Sequence, residues 1–188
     1  TSKSAKVKLT LKDAQGNQVN KSDVEISVNH DGVTDMRTSF TGIKPWSPEY
    51  PAMYEATFDV FENEQLVHQV KKKIGFRTVE IKQRDGIYVN GVKVKMKGVC
   101  RHTFWPESGR TSSYALSVKD VLLMKDMNMN AVRMSHYPPD EHFLDVCDSL
   151  GLFVMDELAG WHGMYDTETG SKLLKEMIAH DVNHPSII

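Results

Sequence analysis

The feature that most constrains the fold is a change of rhythm near Phe76. From Ala5 to Phe76, apolar residues recur at every second position, as in "AKVKLTL", "VEISV", "YEATFDVF" and "VHQVKKKIGF". Turn signals separate these runs at Gln15-Gly16-Asn17 and Asp31-Gly32. Period two marks half-buried antiparallel strands, and several short ones without a convincing helix predict a β-sandwich over residues 1–77. The run Lys71 to Lys73 reads as the solvated face of a strand.

Beyond Phe76 the pattern becomes β-α alternation. The Asn90-Gly91 pair between β-rich runs in "RTVEIKQRDGIYVNGVKV" signals a two-residue hairpin. "VKMKGV" then reads as a strand, "SVKDVLLMKDMN" as an amphipathic helix, "NAVRMS" as a strand and "PDEHFLDVCDSLG" as a helix ending at Gly151. "LFVMDE" is the next strand, "SKLLKEMIAHDV" the next helix, and "SII" a strand cut short. Residues 78–188 are therefore an α/β domain with a parallel sheet, either doubly wound or part of a (β/α)8 barrel.

Composition excludes some classes of function. Of 188 residues, 40% are hydrophobic, enough for a core, and the net charge of -2 calls for neither nucleic acid nor an anionic membrane as partner. No run reaches the roughly 18 apolar residues of a spanning helix, and the start "TSKSAKVKLT" is not a secretory signal. The compartment stays open between periplasmic, secreted and cytoplasmic. Cys100 and Cys147 lack metal-ligand spacing and read as free thiols, Cys147 in a core. Met124, Met127 and Met129 read as packing residues.

Parallel α/β folds place function at the carboxyl ends of their strands. Here those ends read "GVCRH", "RMSHYP" and "MDELAGWHG", which assembles Arg101, His102, Arg133, His136, Tyr137, Asp156, Glu157, Trp161 and His162 into one candidate site. Each also has a structural reading. His102 can be a satisfied structural histidine, Arg133 can pair with Asp156, and Asp156-Glu157 can start a helix. Trp161 can be core, or a flat face for the apolar side of a sugar ring.

"GVCRHTFWPESGR", "LMKDMNMNAVRMSHYPPDEHFLDVCDSLGLFVMDE" and "HDVNHPSII" resemble the (β/α)8 domain of glycoside hydrolase family 2, the β-galactosidase and β-glucuronidase group. Upstream, "PWSPEYPAMYEATFDV" through "KKKIGFRTVEI" resembles the immunoglobulin-like sandwich that precedes that barrel. The resemblance implies a retaining β-glycosidase acting on a carbohydrate. It makes Arg101 and His102 sugar contacts, Arg133 the group that keeps a nucleophilic carboxylate ionised, and His136 a ligand of glycone hydroxyls. Tyr137, Asp156, Glu157, Trp161 and His162 join them as substrate-binding residues. Two departures stand out. Cys100 occupies a position where many members carry asparagine, and "LAGWHG" lacks the glutamate that ligates magnesium in galactosidases, so neither a metal nor another cofactor is expected.

A retaining glycosidase needs two carboxylates about 5 to 5.5 Å apart. The resemblance places both after Ile188, the acid/base glutamate following a fourth strand and the nucleophile following a seventh. A complete barrel takes ~250 residues. The expectation is therefore a sandwich plus roughly the first three βα units of an incomplete barrel. Such a piece is inactive alone, completed by the remainder of the barrel, and through its open sheet edge liable to form a homo-oligomer. Two alternatives are a noncatalytic carbohydrate-binding or interaction module working through the sandwich, and a metal-dependent hydrolase using His102, His136, His162 and Asp156.

Overall fold

The structure is a computed structural model that describes residues 5–19, 24–28, 38–160 and 163–188. Its contacts divide the chain into two units, one formed by residues 1–44 and 53–74, the other by residues 45–52 and 75–188.

In the first unit, β1 (Ala5–Lys12), β2 (Val24–Val28), β3 (Tyr54–Glu62) and β4 (Gln65–Ile74) form one antiparallel sheet in the order β2-β1-β3-β4. Alternation works as the sequence implies: Leu9, Leu11, Tyr54 and Ala56 are buried, with Leu11 opposite Ala56. The β3-β4 hairpin turns on Asn63 and Glu64, both at positive φ, the backbone twist that two-residue hairpins favour. Lys71 to Lys73 lie exposed on β4, as a solvated strand face. The four alternating runs become these four strands, which form a single antiparallel sheet among the described residues of this unit, and the β-rich run after Phe76 forms a separate meander. Period two identifies a strand with one buried face, but it does not say which sheet the strand joins. The turn expected at Asp31-Gly32 lies outside the described residues.

The second unit begins with a three-stranded meander of β5 (Val79–Lys82), β6 (Gly86–Val89) and β7 (Val92–Val94). The Asn90-Gly91 turn joins β6 to β7, with φ of 52 and 77°. A parallel sheet follows in the order β10-β9-β8, from β8 (Gly98–Arg101), β9 (Ala131–Met134) and β10 (Phe153–Met155). α1 (Tyr114–Asp126) connects β8 to β9, α2 (Glu141–Leu150) connects β9 to β10, and α3 (Thr167–Asp181) follows β10. Three parallel strands with helical crossovers make an open sheet, not a closed barrel. Past α3, Ile187 bridges Val154 in parallel, so "SII" enters as a single bridge in place of a full strand.

The first parallel strand starts later than predicted. Val94 completes the meander by pairing with Ile87, and β8 opens at Gly98, where a Cβ would stand 1.8 Å from the Ala131 carbonyl oxygen. Only glycine permits that approach. Ser113 caps α1 by accepting from the Leu116 N–H, and Gly151 ends α2 in the left-handed conformation at φ 80°. α3 begins ahead of its apolar period because the Asp166 carboxylate accepts the Thr169 N–H and caps it there. Val121, Met124, Val132, Met134, Phe143, Leu144, Val146, Cys147, Leu152 and Val154 form the core between sheet and helices, with Met129 packed against it. Met127 departs from the packing expectation: at the C-cap of α1 it is 60% exposed.

Residues 45–52 belong to this second unit. Trp46 is fully buried, its indole N–H donates to the Asp148 carbonyl at 2.7 Å, and its ring meets Phe153 edge-on at 5.7 Å. Beside it, the Asp148 carboxylate bonds the His184 ring at 2.6 Å and accepts the Ser186 N–H at 3.0 Å. The Arg77 guanidinium donates to the Ile187 carbonyl. These bonds hold the turn that leads into the Ile187 bridge.

Candidate active site

The pleat decides which side chains reach the site. Cys100 pairs with Arg133 and Arg133 with Met155, so one row crosses the sheet just before its carboxyl edge; the next row is Arg101 with Met134. Successive side chains on a strand point to opposite faces. Met134 is in the core under the helices, and so is Arg101, which is 8% exposed. Arg101 donates to Asp120 at 2.8 Å and to the Thr103 hydroxyl at 3.2 Å, and lies 4.1 Å over the Phe143 ring. The structure therefore places Arg101, expected at the rim, as a core arginine tied to a carboxylate on the helix side of the sheet.

The other face carries the cluster. Arg133 Nη2 meets both oxygens of Glu157, at 2.7 and 3.0 Å, and Nη1 lies 3.5 Å from Cys100 Sγ. His136 Nδ1 stands 3.1 Å from Glu157 Oε1. The expected Arg133–Asp156 pair is thus replaced by Arg133–Glu157. The His102 and His136 rings meet edge-to-face with centroids 5.2 Å apart, and His102 meets Tyr137 at 6.0 Å. The Tyr137 hydroxyl accepts the Thr103 N–H at 3.1 Å, which locks the loop after β8 to the loop after β9. Arg110, from that first loop, covers the Tyr137 ring at 3.9 Å. A recess of about 210 Å³ opens beside the row, with Gly98, Cys100, Ala131, Arg133 and Met155 in its lining.

Charge is distributed unevenly. The Arg133 guanidinium beside Cys100 holds that exposed thiol below its ordinary pKa, whereas burial pushes the Cys147 thiol well above it. Asp156 turns away from the cluster. It accepts the Glu157 N–H at 2.8 Å, and burial together with a hydrogen bond to Asp181 pushes its carboxyl up to about 6. Neither Asp156 nor Glu157 starts a helix, since α3 begins at Thr167.

Of the residues expected at the site, the structure therefore brings together His102, Arg133, His136, Tyr137 and Glu157, and sends Arg101 and Asp156 elsewhere. Trp161 and His162 lie outside the described residues. Arg110 and Thr103 join the cluster without having been singled out; their signal was position, in the loop following a parallel strand. Among the described residues, one group has ligand atoms close enough to share a metal ion, Asp145, Asp148 and His184, and there both Asp148 oxygens already serve His184 and Ser186. That group does not include His102, His136 or Asp156, and His162, the fourth residue of the metal-dependent alternative, lies outside the described residues. The arrangement that results is a rim with two neighbouring imidazoles, a phenol ring and a carboxylate clamped by an arginine. Such a rim can bind hydroxyl groups in several directions at once.

Residues 1–77 match the model of "Glycosyl hydrolases family 2", and residues 79–188 match that of "Glycosyl hydrolases family 2, TIM barrel domain". A β-galactosidase of Thermoanaerobacterium thermosulfurigenes is 35% identical over 97% of this chain and 26% of its own length. A β-galactosidase of Streptococcus thermophilus is 40% identical over 81% of this chain and 14% of its own. Among solved structures, a Bacteroides uniformis β-glucuronidase superposes on the entire chain with a TM-score of 0.84 at 26% identity, over 23% of its own length. The chain thus spans about a quarter or less of these relatives.

Proposed function

The chain belongs to glycosyl hydrolase family 2, and from that premise we propose that it is part of a retaining β-glycosidase hydrolysing β-linked saccharides. In this reading the four-stranded sheet is one layer of an immunoglobulin-like sandwich, and β8, β9 and β10 are the first strands of a (β/α)8 barrel. The observation that carries it is the juxtaposition of His102 and His136, 5.2 Å apart at neighbouring parallel strand ends, beside a glutamate clamped by Arg133.

His102, His136 and Tyr137 bind the glycone. Arg133 and Glu157 form the frame that orients His136, through the 3.1 Å contact to its Nδ1. Glu157, bonded by Arg133 and His136, serves in this frame and is not assigned as a catalytic carboxylate, because it follows the third parallel strand, whereas the family's acid/base and nucleophile glutamates follow the fourth and seventh. The acid/base and nucleophile glutamates lie outside this chain, on later strands of the same barrel, and the 188-residue piece is inactive by itself.

Hydrolysis of chromogenic β-galactoside and β-glucuronide, measured side by side for this chain and for the full-length protein, tests the proposal. Turnover is expected from the full-length protein alone. Turnover by the short chain would contradict the placement of the glutamates, and none by the full-length protein would contradict the glycosidase reading.

A further inference from the structure

Cys100 stands on the face of the parallel sheet that carries the cluster, and it is the exposed one of the two thiols. It lines the recess of about 210 Å³ beside the Cys100–Arg133–Met155 row, so its sulfur is open to a small molecule. Arg133 Nη1 lies 3.5 Å from Sγ. The guanidinium is therefore shared: one nitrogen faces Cys100 while the other holds Glu157.

A second observation comes from Ser135. Its N–H donates to the Arg101 carbonyl at 3.0 Å, which carries the ladder one residue past β9 and puts the Ser135 side chain on the face of Arg133, two residues back. Ser135 is 1% exposed, and its hydroxyl is buried without a hydrogen-bond partner among the described residues. Buried polar groups are normally satisfied. The hydroxyl lies beside Cys100, where it follows Arg133 as the second group that holds the thiol below its ordinary pKa. A thiol sulfur is a weak acceptor, and an oxygen bonded to it is a stronger one. Arg133 Nη1 and the Ser135 hydroxyl are thus two donors placed for an oxygen that the reduced thiol lacks.

We propose that Cys100 is a reversible oxidation site, at which hydrogen peroxide forms a sulfenic acid that loosens the Arg133 clamp on Glu157. The ionised sulfur attacks one peroxide oxygen, the S–O bond forms as the O–O bond breaks, and the departing hydroxide takes up a proton to become water. Sulfur gives up two electrons, and they reduce the peroxide. The new oxygen accepts from the Ser135 hydroxyl and from Arg133 Nη1. It draws the guanidinium away from Glu157, the carboxylate that meets His136 Nδ1 at 3.1 Å. Cys147 does not compete, because it is buried with a raised pKa. Added thiol reverses the step: a first thiol expels water and forms a mixed disulfide, and a second releases Cys100. The modification stands on the geometry of this chain, and its effect on turnover rests on the glycosidase reading.

The test uses the full-length protein and its Cys100→Ser variant, both treated with hydrogen peroxide. Peptide mass spectrometry reads the product with dimedone as the trap for sulfenic acid, and kcat/KM on a chromogenic β-glycoside is measured without the trap. The expected result is a dimedone adduct at Cys100 and none at Cys147. With it, kcat/KM falls at least about fivefold and is restored by dithiothreitol, while the same treatment leaves the Cys100→Ser variant at its own untreated value. Dithiothreitol does not reverse a methionine sulfoxide, which separates this loss from damage at Met155 in the same recess. Absence of the adduct at Cys100 would overturn the inference. So would an adduct that leaves kcat/KM unaltered, or a loss that dithiothreitol does not restore and Cys100→Ser shares. A full-length protein that hydrolyses no glycoside would contradict the glycosidase reading, and the adduct alone would then decide the modification.

Discussion

At the scale of single residues, the environment of a group decides its chemistry more than its type does. Cys100 and Cys147 are both free thiols, yet one is exposed beside Arg133 with a lowered pKa and the other is buried with a raised one. The thiolate is the reactive form. Iodoacetamide at neutral pH is therefore expected to modify Cys100 at least tenfold faster than Cys147, read by peptide mass spectrometry; equal rates would contradict the environments described. Asp156 offers a second test. Its carboxyl is raised to about 6, against about 3.9 in an unfolded chain, so the folded state favours the protonated form. The resulting stability is full below about pH 4 and is lost as pH rises through about 6. Asp156→Asn keeps the neutral form at every pH and should raise the melting temperature at pH 7 while leaving it nearly unchanged at pH 4. A fall at pH 7 with no change at pH 4 would show instead that the carboxylate is needed ionised. Arg101 shows where residue-level reading stops. With the strand expected over 94–99, Arg101 lay beyond its end and looked like a rim residue. With the strand beginning at Gly98, Arg101 is its last residue and the pleat turns it into the helices.

Elements were legible where local chemistry dictates them. Asn90-Gly91 declared a hairpin because two consecutive positive φ angles suit those residues, and Gly151 declared the end of α2 for the same reason. Less legible was the attachment of Trp46 to the barrel strands' unit, since its indole reaches Asp148 across a separation of 102 residues and no local pattern encodes that bond. The same aspartate anchors the turn before Ile187 through His184 and Ser186. Burial alone would lower the His184 pKa, but the Asp148 carboxylate raises it, so the pair is charged when the group is protonated. Its stabilising contribution is complete below the ordinary histidine value and is lost as pH climbs through the raised one. Asp148→Ala leaves a half-buried imidazolium and a buried N–H without their acceptor. It should cost about 3–5 kcal/mol in urea unfolding at pH 6; a loss under about 1 kcal/mol would mean that the turn is held by other bonds.

At the scale of the whole molecule, alternation and β-α repetition were enough to divide the sequence into a strand-rich half and a parallel α/β half. They were not enough to arrange the strands. Four alternating runs pair into one sheet, and the run after Phe76 joins a meander in the other unit. The candidate site was legible to the extent that three strand ends converge in a parallel sheet, which gathered His102, His136, Tyr137, Arg133 and Glu157. It was illegible where loops matter, as at Arg110, because no periodicity reports which loop residue folds back over a neighbouring ring. The central claim is that this rim binds a saccharide in the transition state of glycoside hydrolysis. The most direct measurement is kcat/KM of the full-length protein and its His136→Ala variant on a chromogenic β-glycoside, with the melting temperature followed in parallel. A loss of roughly a hundredfold or more, with the melting temperature within a few degrees of the parent, is the predicted result; an unchanged kcat/KM would contradict it.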